Sequence, residues 1–207
     1  MFLSRIPLDI SNRNTLRALS SPNKFHGALE SCFSGERERN LWRLDPLNGQ
    51  LYFLVLTETI PDFSGFCQQF AKEGTSWETK SYNSFLETIQ NNNTFHFRLT
   101  ANPTKKISHG KRVAHITEEY QKKWLMQKSV SCGFSLSPES FSTVQNQWYY
   151  FTKHNQRSVS LLAVTYEGIL KVTDAEKFRN AMNSGIGHGK AYGMGLLTVV
   201  RIKEDSA

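Results

Sequence analysis

Asn48-Gly49 stands between two runs of strand-forming residues, Leu41–Leu44 and Leu51–Thr57. A two-residue connection of this kind needs positive φ, which Asn and Gly tolerate, and its twist matches that of the strands it joins. The chain is therefore committed to an antiparallel hairpin here, and its neighbours must be compatible with a sheet. Upstream, residues 2–8 alternate and end near Pro7, which reads as a first strand. Ser21-Pro22 opens a helix, with Ser as N-cap and Pro at the first helical position. Phe25, Leu29, Cys32 and Phe33 then recur at helical spacing until Gly35. Downstream, Phe63, Phe66 and Phe70 mark a short helix, and residues 77–82 a last strand. Strand–helix–strand–strand–helix–strand is the order of the ferredoxin-like unit.

A second unit of the same grammar follows the polar stretch Gln90–Thr94, the best linker in the chain. Phe95, Phe97 and Leu99 alternate with His96, Arg98 and Thr100, a half-buried strand halted by Pro103. Residues 105–115 read as a basic loop around Gly110. Thr117 caps a helix whose apolar side holds Tyr120, Trp124 and Leu125. Trp148–Thr152 and Ser158–Tyr166 are the arms of a hairpin, and Ile169–Val172 pairs next across a turn at Glu167-Gly168. Asp174 caps a helix through Met182, and Leu196–Ile202 closes the sheet. The expectation is two α+β domains in tandem, over residues 1–90 and 95–207.

Charge narrows the class of partner. The chain's 25 Lys+Arg exceed its 18 Asp+Glu by seven, and six of those seven net charges fall between Arg98 and Lys128. A basic stripe of this kind is either the footprint of a polyanion, most often nucleic acid, or a solvated lysine-rich face. The longest plain apolar run, Leu51–Leu56, is far short of the ~20 residues of a membrane span. The first ten residues alternate and carry Arg5 and Asp9, a strand rather than a signal peptide. Three cysteines without a C-x-x-C pair argue against a disulfide scaffold and a zinc knuckle, and point to a reducing cytoplasm. With no H-E-x-x-H, Cys/His cluster or clustered Asp, neither a metal nor a cofactor is expected.

Five of the 13 glycines crowd into residues 185–195. The spacing fails both nucleotide patterns: Gly189-Lys190-Ala191 lacks the P-loop hydroxyl, and Tyr192 stands where G-x-G-x-x-G needs its third glycine. Two readings stay open. One is a tight turn with close helix–sheet packing. The other is a backbone clamp for an RNA phosphodiester at Gly185, Gly187 and Gly189, with His188 and Lys190 as side-chain donors. Trp148, Tyr149 and Tyr150 are likewise either core or a base-stacking surface.

The run GIGHGKAYGMGLLTV from Gly185, with FRLTANPTK at Phe97–Lys105 and KRVA at Lys111–Ala114, resembles the CRISPR-associated endoribonuclease of the type I-E (Cascade) system. SPNKFHGAL at Ser21–Leu29, GERERNLWRL from Gly35 and Trp124-Leu125 extend the resemblance in order along the chain. It implies two tandem ferredoxin-like (RAMP/RRM-like) domains. It also implies a metal-independent enzyme that cuts the repeat hairpin of precursor CRISPR RNA by 2′-hydroxyl attack, leaving a 2′,3′-cyclic phosphate and a 5′-hydroxyl. The enzyme would stay with the mature CRISPR RNA among the other Cascade subunits.

The resemblance places the catalytic histidine at His26. An unperturbed imidazole, with a pKa of roughly 6.5, both accepts and donates a proton near neutrality; read without the resemblance, His26 is an i,i+4 partner of Glu30 on a wet helix face. Relatives often carry Tyr three residues before this histidine, where this chain has Asn23, so Lys24, Ser31 and Ser34 are candidates for the missing support. Asn23 also motivates the alternative of a non-catalytic RNA-binding subunit. The resemblance further implies a hairpin probing the RNA stem, with Lys153, His154 and Arg157 at its tip, while Arg98, Lys105, Lys106, Lys111 and Arg112 track the backbone.

Overall fold

The Asn48-Gly49 turn forms with φ of 50° and 77°, joining β2 (Leu41–Leu47) to β3 (Gln50–Thr57). The structure, a computed structural model, describes residues 1–33, 40–152 and 158–202. β1 (Phe2–Pro7) pairs antiparallel with β3 on one side and with β4 (Glu78–Ser81) on the other, giving the order β2-β3-β1-β4. Three helices accompany this sheet: α1 (Arg13–Ser20), α2 (Asn23–Glu30) and α3 (Ser64–Phe70). Phe25 of α2 is fully buried against the rings of Trp42, Phe53, Phe66 and Phe70, at centroid distances of 5.0–6.1 Å. Burying one such side chain is worth about 1.5–3 kcal/mol, so this aromatic cluster fixes α2 against the sheet.

The second sheet repeats the plan. β5 (Thr94–Ala101) lies between β11 (Leu197–Arg201) and β10 (Ser158–Val172), and β9 (Phe141–Thr152) pairs with the far side of β10. The short β8 (Phe134–Ser135) joins the end of β10. α5 (Glu118–Ser131) and α6 (Ala175–Ser184) supply Trp124, Leu125, Phe178 and Met182 to a core with Phe95, Phe97 and Leu99. In each half the last, first, third and second long strands lie side by side, which is the ferredoxin-like order. The fold is thus α+β, built from two such domains.

Five details differ from the sequence expectations. Residues 13–20 form α1, an element with no apolar stripe: only Thr15 and Ala18 are buried, and the helix starts because the Asn12 side chain accepts from the Asn14 amide at 2.7 Å. A further short helix, α4 (Asn83–Glu87), follows β4. The basic stretch is a hairpin rather than a loop, with β6 (Thr104–Lys106) and β7 (Arg112–Ala114) around a 3-10 turn at Ser108–Gly110. No turn interrupts Glu167-Gly168. β10 runs straight through, and Gly168 is required because a Cβ there would sit 2.2 Å from the Ser140 carbonyl of the adjoining segment. Tyr120, expected on the buried side of α5, is about half exposed and stacks on His115 at 5.8 Å.

Arg43 joins the halves. Its guanidinium is buried, donates to both Asp45 carboxylate oxygens (2.8 and 2.6 Å), and reaches across to the carbonyls of Arg98 and Leu196 (both 2.8 Å) and to Thr198 Oγ1 (2.7 Å). Leu41 and Leu56 of the first sheet are buried in the second core beside it. The polar stretch 90–94 is itself stapled to the second sheet: Asn92 donates to the Val172 carbonyl and Val172 to that of Asn93, both at 2.8 Å.

Candidate active site

His26 sits mid-way along α2, one position past buried Phe25, so the stripe that anchors the helix leaves the imidazole partly exposed. Its Nδ1 lies 3.8 Å from Glu30 Oε1 one turn later, an ion-pair distance when the ring is protonated. The other neighbour comes from the second domain. Tyr192 meets the imidazole edge-to-face with ring centroids 6.5 Å apart. It is carried by a short 3-10 turn, Lys190–Tyr192, that packs beside α2, and its ring leans on Phe151 at 5.0 Å. The sequence reading had no signal for this partner.

That turn belongs to the glycine-rich segment, and packing accounts for the glycines. At Gly187, φ is 83° and a Cβ would press on the Trp124 indole at 3.1 Å; at Gly193, φ is 80° and a Cβ would strike the Trp42 ring at 2.6 Å. Gly185 and Gly189 are in equally close contact, with Leu41 and Met194 respectively. The Lys190 ammonium donates to the Ser184 carbonyl at 2.5 Å, closing the end of α6. Of the two readings of this segment, the tight turn is thus the one the geometry displays.

Cations converge around the loop. Burial and the nearby charges of Arg112, Lys128 and Lys190 hold the His188 imidazole below its ordinary pKa. Burial and Lys105 do the same to His115. An isolated bridge between Asn102 and His188 ties the loop to the start of the β6–β7 hairpin. Lys105, Lys106, Lys111 and Arg112 are exposed on that hairpin and its turn. Lys128, at the C-terminal limit of the basic stripe, is thereby a further cation beside the loop.

Other sequence candidates sit elsewhere. Arg98 is drawn into the contact between the domains, its Nη1 2.7 Å from Glu167 and its Nε 3.3 Å from Asp45, so the strand alternation that exposed it points it at the first sheet rather than along the basic stripe. The Ser31 hydroxyl donates to the Ala28 carbonyl at 2.7 Å, a bond internal to the helix end. Asn23 accepts from the Ser21 hydroxyl at 2.6 Å. Lys24 is exposed beside a groove that also carries Arg17, a cation brought there by the unforeseen α1. Ser34, Lys153, His154 and Arg157 lie outside the described residues.

The family model described as CRISPR associated protein matches residues 1–201. CRISPR-associated endoribonuclease Cse3 of Thermus thermophilus is 32% identical over 96% of this chain and 99% of its own length. The chain belongs to the CRISPR-associated family of Cse3. The CRISPR system Cascade subunit CasE of Escherichia coli is 32% identical over half of this chain and 56% of its own. A solved structure of CRISPR endoribonuclease Cse3 bound to a 19-nt RNA superimposes with a TM-score of 0.82, at 31% identity, covering 97% of this chain and all of that one. Among the described residues no helix is long and apolar enough to cross a membrane.

Proposed function

We propose that this protein is an endoribonuclease that binds and cleaves the repeat stem-loop of precursor CRISPR RNA, and then stays with the mature CRISPR RNA in a Cascade-type complex in the cytoplasm. The observation that carries this reading is the placement of His26. It is a partly exposed imidazole flanked by a carboxylate from its own helix and a phenol ring from the other domain, in a chain that matches Cse3 nearly end to end.

In this reading the ribose 2′-hydroxyl attacks the adjacent phosphorus and the 5′-oxygen leaves. The proton lost by the 2′-hydroxyl and the proton gained by the leaving oxygen balance, giving a 2′,3′-cyclic phosphate and a 5′-hydroxyl. His26 moves one of these protons, an effect worth typically 10²–10⁴-fold. In-line alignment of the RNA supplies much of the rest. The exposed cations Lys105, Lys106, Lys111 and Arg112 stabilise the phosphate charge along the strand, while Lys24, two residues before His26 and so on another face of α2, adds a cation with Arg17 at the neighbouring groove. Side chains seldom read the narrow major groove of an RNA stem, so shape and phosphate contacts dominate recognition, and affinity falls steeply with salt.

Incubation with repeat RNA in EDTA tests the reading. Cleavage persists there, stops when the nucleotide 5′ of the scissile bond is 2′-deoxy, and is lost in His26→Ala with RNA binding kept. Wild-type cutting by His26→Ala refutes the assignment. Tight binding of intact RNA by the unaltered protein favours the second reading, a non-catalytic RNA-binding subunit, which Asn23 supports because its amide is engaged by Ser21.

A further inference from the structure

A cleft of about 570 Å³ opens between the edge strand β2 and the β9–β10 arm, and Tyr192, the ring that touches His26, forms one of its walls. This volume lies within the range of ordinary ligand sites, roughly 300–1,000 Å³. Strand alternation sets the floor of the cleft, and Trp148 and Tyr150 from the intervening positions also border it. Along β9, Gln145, Gln147 and Tyr149 face the cleft, and β10 sets Thr165, Ala163 and Leu161 opposite them in register. Thr165 is already paired with Thr100, hydroxyl to hydroxyl at 2.9 Å. The two glutamine amides are thus the adaptable polar groups of the floor, although Gln147 Nε2 already donates one hydrogen to the Trp148 carbonyl at 3.2 Å and keeps its second donor and its acceptor for a ligand. Leu44, Pro46 and Leu51 form an apolar wall. Burial pushes the Tyr149 phenol above its usual pKa, so it stays a neutral donor.

We propose that this cleft receives an unstacked base of the RNA strand that carries the scissile phosphate, and that Gln145 and Gln147 read the edge of that base. The inference rests on the reading of the chain as an RNA-cleaving protein. A flat aromatic base with a polar rim suits an apolar wall facing two amides, and single-stranded bases splayed from a stem are what proteins read most directly in RNA. Because Tyr192 borders both spaces, a base held in the cleft keeps its own phosphate near the imidazole. Selecting that base and aligning the bond therefore become one event.

The test uses the full chain and stem-loop RNAs that carry each of the four bases, in turn, at every unpaired position adjoining the stem. Both the dissociation constant and the single-turnover cleavage rate are measured. The unaltered protein should prefer one base at one of these positions by about tenfold or more, the discrimination of a good amide–base contact. Gln145→Ala/Gln147→Ala should bring the four RNAs within about threefold, with the melting temperature and the affinity for a stem lacking unpaired flanks unchanged. Gln145→Glu/Gln147→Glu keeps the shape but removes the donors, and should move the preference to a different base. Equal treatment of all four bases by the unaltered protein overturns the proposal, as does a preference that survives both double variants. Failure to cut any RNA refutes the nuclease reading instead, and the base dependence of binding still decides the cleft.

Discussion

Replacing Arg43 is the sharpest test of how the two halves are held together. Its buried guanidinium makes five hydrogen bonds, two to Asp45 and three to groups of the second domain. Arg43→Ala leaves the Arg98 and Leu196 carbonyls without this donor and deprives Asp45 of its bidentate partner. Breaking a buried charge pair by removing one member costs about 3–5 kcal/mol, a large share of a typical stability of about 5–15 kcal/mol. Asp45 is still about a fifth exposed and keeps Arg98 Nε at 3.3 Å, which puts the expected loss near 3 kcal/mol rather than 5. Arg43→Lys should lose most of the same amount, because an ammonium cannot reproduce the planar fork. Arg43→Met with Asp45→Leu should recover part of it, since no charge is left stranded. Urea unfolding followed by circular dichroism reads these values, and one transition separating into two is the expected sign of uncoupled domains. A loss below about 1 kcal/mol for Arg43→Ala would show that the apolar contact around Leu41 and Leu56 suffices, and the clamp argument would fail.

Tyr192→Ala should cut the single-turnover rate about 10–100-fold at saturating RNA, because the imidazole loses its lateral support; Tyr192→Phe, which keeps the ring, should retain most of the rate. Gly193→Ala should destabilise by at least about 1 kcal/mol in thermal melts, since φ is 80° and the added carbon meets the Trp42 ring at 2.6 Å. The depressed pKa of His188 gives a signed pH effect. Its folded-state preference for the neutral ring contributes stability that is complete above the unfolded value of about 6.5 and is lost as pH falls through the lower folded value. Melting temperature should therefore drop over that acid window, and less so in His188→Gln.

Local signals were the legible part of the fold. The Asn-Gly turn, the Phe95–Leu99 alternation and the Asp174 cap each act within a few residues, and each appears where the sequence placed it, the cap as a 3.0 Å bond to the Lys177 amide. α1 escaped because its buried residues are a threonine and an alanine, which carry no apolar signature. Arg43 stands inside the Leu41–Leu44 run, and nothing short of the packed second domain reveals that this charged position is buried. The same limit hid Tyr192. Its meeting with His26 is a property of how two domains dock, and spacing along one segment cannot express it.

The glycine-rich segment lies against two tryptophans, Trp124 of the second core at Gly187 and Trp42 of the first at Gly193. Each half of the protein thus has a native fluorophore within van der Waals reach of the same short loop. Any ligand that shifts this loop should alter the emission of both indoles together, whereas a disturbance confined to one core should alter only its own. With Trp42→Phe and Trp124→Phe variants to separate the two signals, loop movement on RNA binding becomes visible by stopped-flow optics without an added label.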